Sequence, residues 1–164
     1  MQKFDAVVAP WLNSAFNLAR WLTGNAHDAE DIVQEACLRA FRALDSFHPG
    51  NDGRAWLLTI VRNTAWNWLR QNRGHEPLAD SDMIETSLDP EAALIRKADV
   101  ESVRRALEAL PPEHREVIVF REMESMSYRE IADVIGAPIG TVMSRLSRAR
   151  AALHASFHAE EAHR

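Results

Sequence analysis

The sequence predicts an all-α fold in which two small helical domains are joined by an acidic linker. Helix-forming residues dominate the chain, and runs that alternate apolar and polar residues are scarce, which argues against β-strands. The stretch GHEPLADSDMIETSLDP, residues 74–90, is polar, acidic and rich in turn-forming residues, as is typical of a connection between compact parts. We therefore expect domains at 1–73 and 96–158, a linker at 74–95 and a polar tail at 159–164.

Three helices are expected in the N-terminal domain. The first, PWLNSAFNLARWLTGN, ends near Gly24, because glycine readily adopts the left-handed conformation that stops a helix. Asp28 is expected to cap the second helix, DAEDIVQEACLRAFRAL, since a carboxylate accepts hydrogen bonds from free backbone N–H groups. The segment FHPGNDG, Phe47–Gly53, consists of turn-forming residues. It leads into the third helix, RAWLLTIVRNTAWNWLRQNR, residues 54–73.

Four helices are expected in the C-terminal half. Pro90 opens one that runs to about Leu110, because proline suits the first position of a helix. The others are PPEHREVIVFREMES, which starts at its two prolines, SYREIADVIG, which Gly136 stops, and IGTVMSRLSRARAALHASF. The short helix, the tight turn and the longer last helix form a helix-turn-helix pattern, which is typical of DNA-binding domains.

Composition indicates a soluble globular protein of the cytoplasm. Of the 164 residues, 46% are hydrophobic and 26% are charged, which excludes a disordered chain. The single cysteine, Cys37, excludes an internal disulfide and fits a reducing compartment. The N-terminus shows no charged-then-apolar leader and the chain shows no long apolar run, so we expect neither a secretory signal nor membrane insertion.

Positive charge is concentrated in two segments, although the formal net charge is -5. Residues 54–73 hold four arginines, three of the five tryptophans and no acidic residue. Residues 139–154 hold three arginines and no acidic residue, whereas residues 73–100 carry three basic and seven acidic residues. Because a basic patch can bind nucleic acid even on an acidic protein, both basic segments are candidates for DNA contact.

The last helix is a candidate recognition helix. Helical geometry places its apolar residues on one face: Val142, Leu146, Ala149 and Leu153. The opposite face carries small residues and an arginine, with two more arginines on its flanks: Ser144, Ser147, Arg148, Ala151, Arg145 and Arg150. Small residues allow close approach to the major groove, where Arg148 can contact guanine. The alternative is that these arginines only solvate a surface helix or pair with Glu130 and Asp133.

The outward face of the second helix is a candidate protein-docking surface. It places one leucine among polar, mostly charged residues: Asp31, Gln34, Glu35, Leu38 and Arg42. An apolar residue kept at the surface within a polar rim is typical of an interface. An ordinary solvated face with one stray leucine explains the pattern equally well.

The third helix is a candidate surface for single-stranded DNA. Its inward stripe is Leu57, Leu58, Val61, Ala65, Trp68 and Leu69. Its outward face carries Thr59, Arg62, Asn63, Trp66, Arg70 and Arg73, with Trp56 and Asn67 at the edge. A base that stacks on an exposed indole gains about 1–3 kcal/mol, while arginines bind the backbone. Trp66 is therefore expected to be exposed and to stack on a base, unless it packs against the C-terminal domain or a partner protein.

Two motifs, in order, resemble those of a known family. DAEDIVQEACLRAFRALDSF followed by RAWLLTIVRNTAWNWLR is similar to region two of bacterial sigma factors of the extracytoplasmic-function (ECF) group. LPPEHREVIVFREMESMSYREIADVIGAPIGTVMSRLSRARAAL is similar to their region four. The resemblance covers about residues 5–157, and two motifs in the right order are far more specific than either alone. It implies a transcription initiation factor that binds RNA polymerase core and selects promoters.

The resemblance also implies a role for each surface. The outward face of the second helix would dock on the clamp coiled coil of the largest polymerase subunit, and the flap of the second-largest subunit would be a further contact. The minus-ten element would be bound and melted by Phe47, His48, Asn51, Arg54, Trp56, Arg62, Asn63, Trp66, Asn67, Arg70 and Arg73. The minus-35 element would be read by Tyr128, Arg129, Thr141, Met143, Ser144, Arg145, Ser147, Arg148 and Arg150.

Further expectations concern partners and chemistry. The resemblance implies an anti-sigma factor as a partner, and no cofactor, metal or catalytic residue. The sequence departs from common family residues at Trp66, Asn67, Met143 and Ser147, which bears on the promoter sequence and not on the mechanism. A stand-alone helix-turn-helix regulator and a sigma mimic that sequesters an anti-sigma factor remain alternatives. A metal hydrolase built on the C-terminal histidines is disfavoured, because no acidic or cysteine ligands accompany them in a convincing pattern.

Overall fold

The computed structural model describes residues 1–72 and 90–163, and the side chains of residues 1–72 and 99–163. The described segments contain eight α-helices and no strand, which confirms the predicted all-α fold. The helices are α1 (Gln2–Val8), α2 (Leu12–Thr23), α3 (Ala26–Arg42), α4 (Gly53–Gln71), α5 (Pro90–Glu108), α6 (Pro112–Ile118), α7 (Tyr128–Ile135) and α8 (Ile139–Ala162). Residues 73–89, which include most of the predicted linker, lie outside the described part of the chain. The helix α5 begins at Pro90, within the predicted linker.

The N-terminal domain is a bundle of α2, α3 and α4, with α1 packed beside it. Its core consists of fully buried aliphatic side chains from all three helices, among them Leu18, Leu22, Ile32, Leu57 and Val61. Burial of each such side chain stabilises the fold by about 1.5–3 kcal/mol relative to exposure. The predicted inward stripe of α4 is therefore largely confirmed, except that Trp68 and Leu69 are only half-buried.

A sharp turn joins α2 to α3. Gly24 ends α2 in the left-handed conformation, with φ of 77°, as predicted. The predicted cap of α3 is wrong: Asn25, not Asp28, is the N-cap, and its side-chain oxygen accepts a hydrogen bond from the backbone N–H of Asp28 at 3.1 Å. The helix starts earlier than expected because Asn25 stands directly after the turn, so Asp28 falls inside the first turn of the helix.

The start of α4 is held close to α1. Gly53, the first residue of α4, has no side chain, and a Cβ built there would lie 3.1 Å from the carbonyl oxygen of Val7. That distance is tighter than an ordinary van der Waals contact, so a larger residue would push the two helices apart. Asp52 caps α4 by accepting a hydrogen bond from the N–H of Arg54 at 2.9 Å.

The C-terminal domain contains the predicted helix-turn-helix, α7 and α8. Its core includes Phe120, Ile131, Val142 and Leu146, all nearly or completely buried. A π-helical turn, Val119–Met123, extends α6 toward the loop before α7. The predicted recognition helix therefore packs inward through the expected face, with Val142, Leu146 and Ala149 buried.

Two caps define the helix-turn-helix. At the start of α7, Ser127 and Glu130 form a capping box, in which each side chain accepts a hydrogen bond from the other residue's backbone N–H at 3.1 Å. At its end, Gly136 adopts the left-handed conformation with φ of 67°, as predicted. The caps satisfy backbone groups that a helix terminus otherwise leaves free.

Most of the predicted polar tail, 159–164, belongs to a helix. The helix α8 runs to Ala162, because its C-terminal part is tied to α5. Glu160 accepts a short hydrogen bond from the Ser102 hydroxyl, and its other carboxylate oxygen lies 3.6 Å from a guanidinium nitrogen of Arg105. His154 and His158 face each other on this part of the helix, with 2.9 Å between their Nε2 atoms.

No helix in the described segments is long and apolar enough to cross a membrane. Across those same residues, no three histidine, cysteine, aspartate or glutamate side chains are grouped so as to hold a metal ion.

The capping box leads to a first prediction. The substitution Ser127→Ala should lower the free energy of unfolding by about 1 kcal/mol, because the N–H of Glu130 loses its acceptor. Urea unfolding followed by circular dichroism measures the change. The matched control is Ser147→Ala, at an exposed position within α8, which should shift stability by less than about 0.5 kcal/mol. Equal losses in the two variants would contradict the capping role.

Candidate DNA-binding and protein-docking surfaces

The predicted docking face of α3 is fully open to solvent. All five predicted residues are exposed: Asp31, Gln34, Glu35, Leu38 and Arg42. Leu38 is 53% exposed, although it is a large apolar side chain on a well-packed helix. Glu35 is ion-paired within the helix to Arg39 at 3.0 Å.

The structure adds an apolar groove that the sequence analysis missed. Phe41, which is 55% exposed, lies one helical turn beyond Leu38 and packs edge-on against Phe4 of α1, with 5.6 Å between ring centroids. These side chains and Met1 line an open groove of about 580 Å³ between α1 and α3. The spacing of Phe41 from Leu38 could have revealed the extended face, since residues three apart share one side of a helix.

Cys37 lines the same groove. Burial raises the pKa of its thiol above the ordinary value, because an apolar environment disfavours the thiolate. A thiol in this state is a poor nucleophile, so the residue contributes packing rather than chemistry.

The loop before α4 divides its predicted DNA-binding residues between the surface and the interior. His48 and Asn51 are exposed. Phe47 is only 7% exposed and packs on Trp56, with 5.0 Å between ring centroids. Phe47 therefore supports the loop from beneath, and the polar side chains form its surface.

Arg54, the second residue of α4, contacts the C-terminal domain. One guanidinium nitrogen donates to the backbone carbonyl of Glu124 at 2.6 Å, and another donates to the Glu130 carboxylate at 3.3 Å. The guanidinium carbon lies 5.8 Å from the ring centroid of Trp11. A residue predicted to face DNA is thus held between Trp11, just before α2, and the start of the helix-turn-helix in this structure.

The centre of the outward face of α4 is covered by α6. Arg62 donates from Nε and Nη2 to the two carboxylate oxygens of Glu116, both at 2.9 Å. The indole Nε1 of Trp66 donates to the same carboxylate at 2.8 Å. The expected exposure of Trp66 is therefore wrong for this structure, and packing against the C-terminal domain, the alternative named above, is what the structure shows.

The rest of that face remains accessible. Asn63 and Arg70 are exposed, and Asn67 is half-buried and accepts a short hydrogen bond from Arg70. The last predicted member, Arg73, lies outside the described residues. The C-terminal domain thus covers the middle of the predicted DNA-binding face and leaves its C-terminal end open.

Arg115, next to Glu116 on α6, makes a further contact between the domains. Its guanidinium donates to the backbone carbonyl of Trp21 in α2 at 2.7 Å. Three more hydrogen bonds join it to carbonyl groups at the end of α5 and just beyond: Leu107, Glu108 and Leu110. Burial lowers its pKa, and the nearby Glu108 charge opposes that shift.

The predicted DNA-reading face of α8 is open. Met143, Ser144, Ser147 and Arg148 are all exposed, as is Arg129 on α7. The Ser144 hydroxyl donates a hydrogen bond to the backbone carbonyl of Thr141, one turn earlier in the same helix. The small side chains leave the backbone of α8 accessible beside the Arg148 guanidinium.

The flanks of α8 are more constrained. Arg150 donates a hydrogen bond to the Glu122 carboxylate at 3.1 Å, and its hydrogen bonds to Tyr128 and Glu122 raise its pKa above the ordinary arginine value. Its partner is thus Glu122, not the Glu130 or Asp133 suggested by spacing. Arg145 is half-buried. Arg148 is accordingly the arginine of this helix that combines exposure with a place on the outward face.

Two family models match the chain, one on each domain. Sigma-70 region 2 matches residues 7–75, and sigma-70 region 4 matches residues 101–153. The ECF RNA polymerase sigma factor EcfG of Rhodopseudomonas palustris is 37% identical over 141 residues, which are 86% of this chain and 77% of that protein. The chain belongs to the ECF family of RNA polymerase sigma factors. The ECF RNA polymerase sigma-E factor of Escherichia coli is 38% identical over 137 residues, covering 77% of this chain and 72% of that protein.

Two solved structures share the fold of this ECF sigma factor. The sigma factor RpoE of Bartonella quintana, in complex with the anti-sigma factor NepR, superimposes with a TM-score of 0.79 at 29% identity, over 96% of this chain and 98% of that one. CnrH, in complex with the cytosolic domain of CnrY, gives a TM-score of 0.69 at 31% identity, over 95% and 88% of the two chains. This ECF sigma factor is a transcription initiation factor, with α2–α4 inside the region 2 match and the end of α5, α6, α7 and α8 as far as residue 153 inside the region 4 match.

Glu130 gives a prediction about pH. Hydrogen bonds from the Ser127 backbone and side chain, with a smaller contribution from Arg54, hold the pKa of Glu130 below the ordinary value of a glutamate. The stabilisation from its charge is therefore present above the pKa of the unfolded chain, and it is lost as the pH falls through the lower pKa of the folded state. The wild type should be more stable than Glu130→Gln at neutral pH, and the difference should shrink as the pH falls below the ordinary pKa of a glutamate and vanish once the carboxylate of the folded state is protonated.

Urea unfolding across this pH range measures the difference. Glutamine retains the acceptor of the capping box, so the comparison isolates the charge from the cap. A stability gap that stays constant from neutral to acid pH would contradict the assignment.

Proposed function

We propose that this ECF sigma factor binds RNA polymerase core through α3, the minus-ten element through the loop before α4 and the outward face of α4, and the minus-35 element through α8. The observation that carries the proposal is the outward face of α3. The large apolar side chains of Leu38 and Phe41 are exposed to solvent there beside carboxylates, and the opposite face of the helix is buried in the core. Such a face is stabilised when a partner covers it.

The polymerase surface we infer is larger than the set of five predicted residues. The groove between α1 and α3 continues the face and adds Phe4 and Phe41 to Leu38. Aromatic side chains in a pocket at the centre of an interface typically contribute most of the binding energy. Asp31 and Glu35 at the rim favour a partner with basic residues.

Strand opening is assigned to region 2. His48 and Asn51 at the loop surface present polar groups to a flipped base, while Asn63 and Arg70 follow the strand along α4. Extrusion of a base costs a few kcal/mol, and hydrogen bonds with stacking return that cost. The chain contributes binding energy and no catalytic step, because nucleotide addition belongs to the polymerase.

Recognition of the minus-35 element is assigned to α8. Its exposed face combines an arginine, which forms paired hydrogen bonds with guanine, with small side chains that permit entry into the major groove. Arg129 on α7 is placed to reach a phosphate beside the groove. The cytoplasm, where polymerase and promoter are, is the proposed location.

Regulation by an anti-sigma factor is also proposed. The support is that one solved relative, RpoE, is a sigma factor in complex with the anti-sigma factor NepR, and that another, CnrH, is in complex with the cytosolic domain of CnrY.

The test is run-off transcription from a genomic fragment library, with purified polymerase core in the presence and absence of this chain. Initiation that requires both components supports the proposal. Initiation that is unchanged when the chain is added would refute it, whatever the affinity of the chain for DNA alone.

The docking proposal predicts the effect of Leu38→Asp. The substitution should weaken binding to polymerase core by about 30-fold or more, because it places a charge in the apolar centre of the interface. Analytical binding to labelled core measures this. The matched control is Leu12→Asp, an exposed leucine at the start of α2, where an acidic residue suits the helix terminus. Equal weakening by both variants would count against the α3 surface.

The minus-35 proposal predicts the effect of Arg148→Ala. Holoenzyme should lose about 1–3 kcal/mol of binding at its promoter and should discriminate less at one base pair. Arg148→Lys is the informative partner variant, since lysine keeps the charge but lacks the two-pronged hydrogen-bonding geometry. Discrimination at that base pair should also fall with lysine, while the salt dependence of binding is retained. Unaltered discrimination in both variants would refute the base contact.

A further inference from the structure

The carboxylate of Glu116 is the most deeply buried charged group in the described segments. Its side chain is 0% exposed, although it lies on α6 where the two domains meet. It accepts three hydrogen bonds from α4, two from Arg62 and one from Trp66, at 2.8 to 2.9 Å. Paired, charge-assisted hydrogen bonds of this kind are the strong ones in proteins, and a planar guanidinium matches a carboxylate or a phosphate equally well.

The donors are the groups that α4 would offer to DNA. The Arg62 guanidinium is the natural partner of a backbone phosphate, and the Trp66 indole is the natural partner of a base. The guanidinium carbon of Arg62 also lies 5.4 Å from the Trp66 ring centroid, so the two side chains form one unit. Because Glu116 uses Nε and Nη2 of Arg62 together with Nε1 of Trp66, a strand cannot use these atoms while the carboxylate is in place.

A second contact covers another predicted DNA-binding residue. Arg54 is bonded to Glu130 and to the backbone of Glu124, both in region 4. The docking face of α3 and the reading face of α8, in contrast, are exposed. The contacts between the domains thus cover the centre of one proposed surface and leave the other two free.

We propose that Glu116 is an internal competitor of single-stranded DNA. In the free chain its carboxylate occupies the phosphate position on Arg62 and holds Trp66 away from a base, and the two domains must separate before α4 can bind a strand. The inference rests on the proposed role of α4 in binding the minus-ten strand. It implies an order of events, in which polymerase docks on the exposed α3 face before the strand reaches α4.

The first test uses Glu116→Gln in the full-length chain, without polymerase. Removal of the charge should raise the affinity for a labelled single-stranded DNA of mixed sequence by about tenfold or more, because the site is no longer held closed. Fluorescence anisotropy measures the affinity, and small-angle X-ray scattering should show a larger radius of gyration. The matched control is Glu113→Gln, which makes the same change of charge three residues earlier on α6 and should alter neither quantity.

A second variant tests the proposal in case the first variant does not fold. Glu130→Gln weakens a second contact between the domains and keeps the capping box, and Arg54 is the proposed DNA-binding side chain that it contacts, so Arg62 and Trp66 are left unchanged. It should change both measurements in the same direction as Glu116→Gln, to a smaller extent. If Glu116→Gln loses its helical circular dichroism, Glu130→Gln decides the question, and no change in strand affinity would then overturn the proposal.

A further variant distinguishes two ways in which the proposal can be wrong: Glu116 does not compete with a strand, or α4 does not bind a strand. Arg70→Ala, at an exposed position on α4 outside the contact, should lower strand affinity in the Glu116→Gln background. If Arg70→Ala lowers affinity but Glu116→Gln does not raise it, α4 binds DNA and the competitor is wrong. If the radius of gyration rises while strand affinity stays constant, the competitor is likewise wrong. If Arg70→Ala has no effect in that background, the assignment of α4 fails, and the competitor fails with it.

Discussion

The bond between Arg62 and Glu116 governs how the two domains of this sigma factor relate to each other. A carboxylate with no exposed surface is stable only if its charge is matched, and here one arginine and one indole supply the match. Removal of one partner from a buried ion pair typically costs about 3–5 kcal/mol, because the other charge stays buried without compensation. When the domains separate together, both groups return to water, and the net cost is far smaller.

The small net cost of returning both groups to water together is compatible with a contact that opens, as proposed above. The domains pack partly through buried apolar residues, and Arg54, Arg62 and Arg115 also join them through directional hydrogen bonds. Such bonds exchange readily for bonds to another anion or to water. These polar contacts are therefore compatible with the proposed separation of the two domains before a strand binds α4.

The sequence predicted the elements far better than it predicted the contact between them. Helix periodicity placed the core faces of α4 and α8, and glycines marked the ends of α2 and α7, because these signals act within a few residues. The cap of α3 was misplaced by three residues since Asn25 and Asp28 are both good caps. The contact of Trp66 with region 4 could not be decided from the sequence, because its partner, Glu116, stands fifty residues later in the chain. Periodicity carries no information about contacts between helices at that separation.

The attachment of α8 to α5 has a mechanical consequence. A helix of 24 residues is about 36 Å long, and α8 is held at one end by the Gly136 turn and at the other by Glu160. Its N-terminal half carries the proposed reading face and its C-terminal half contacts α5, so one continuous helix connects the two. Because α8 also packs on α6 and α7, the orientation of the proposed reading end depends on these two helices together with α5, although α5 carries none of the proposed DNA contacts.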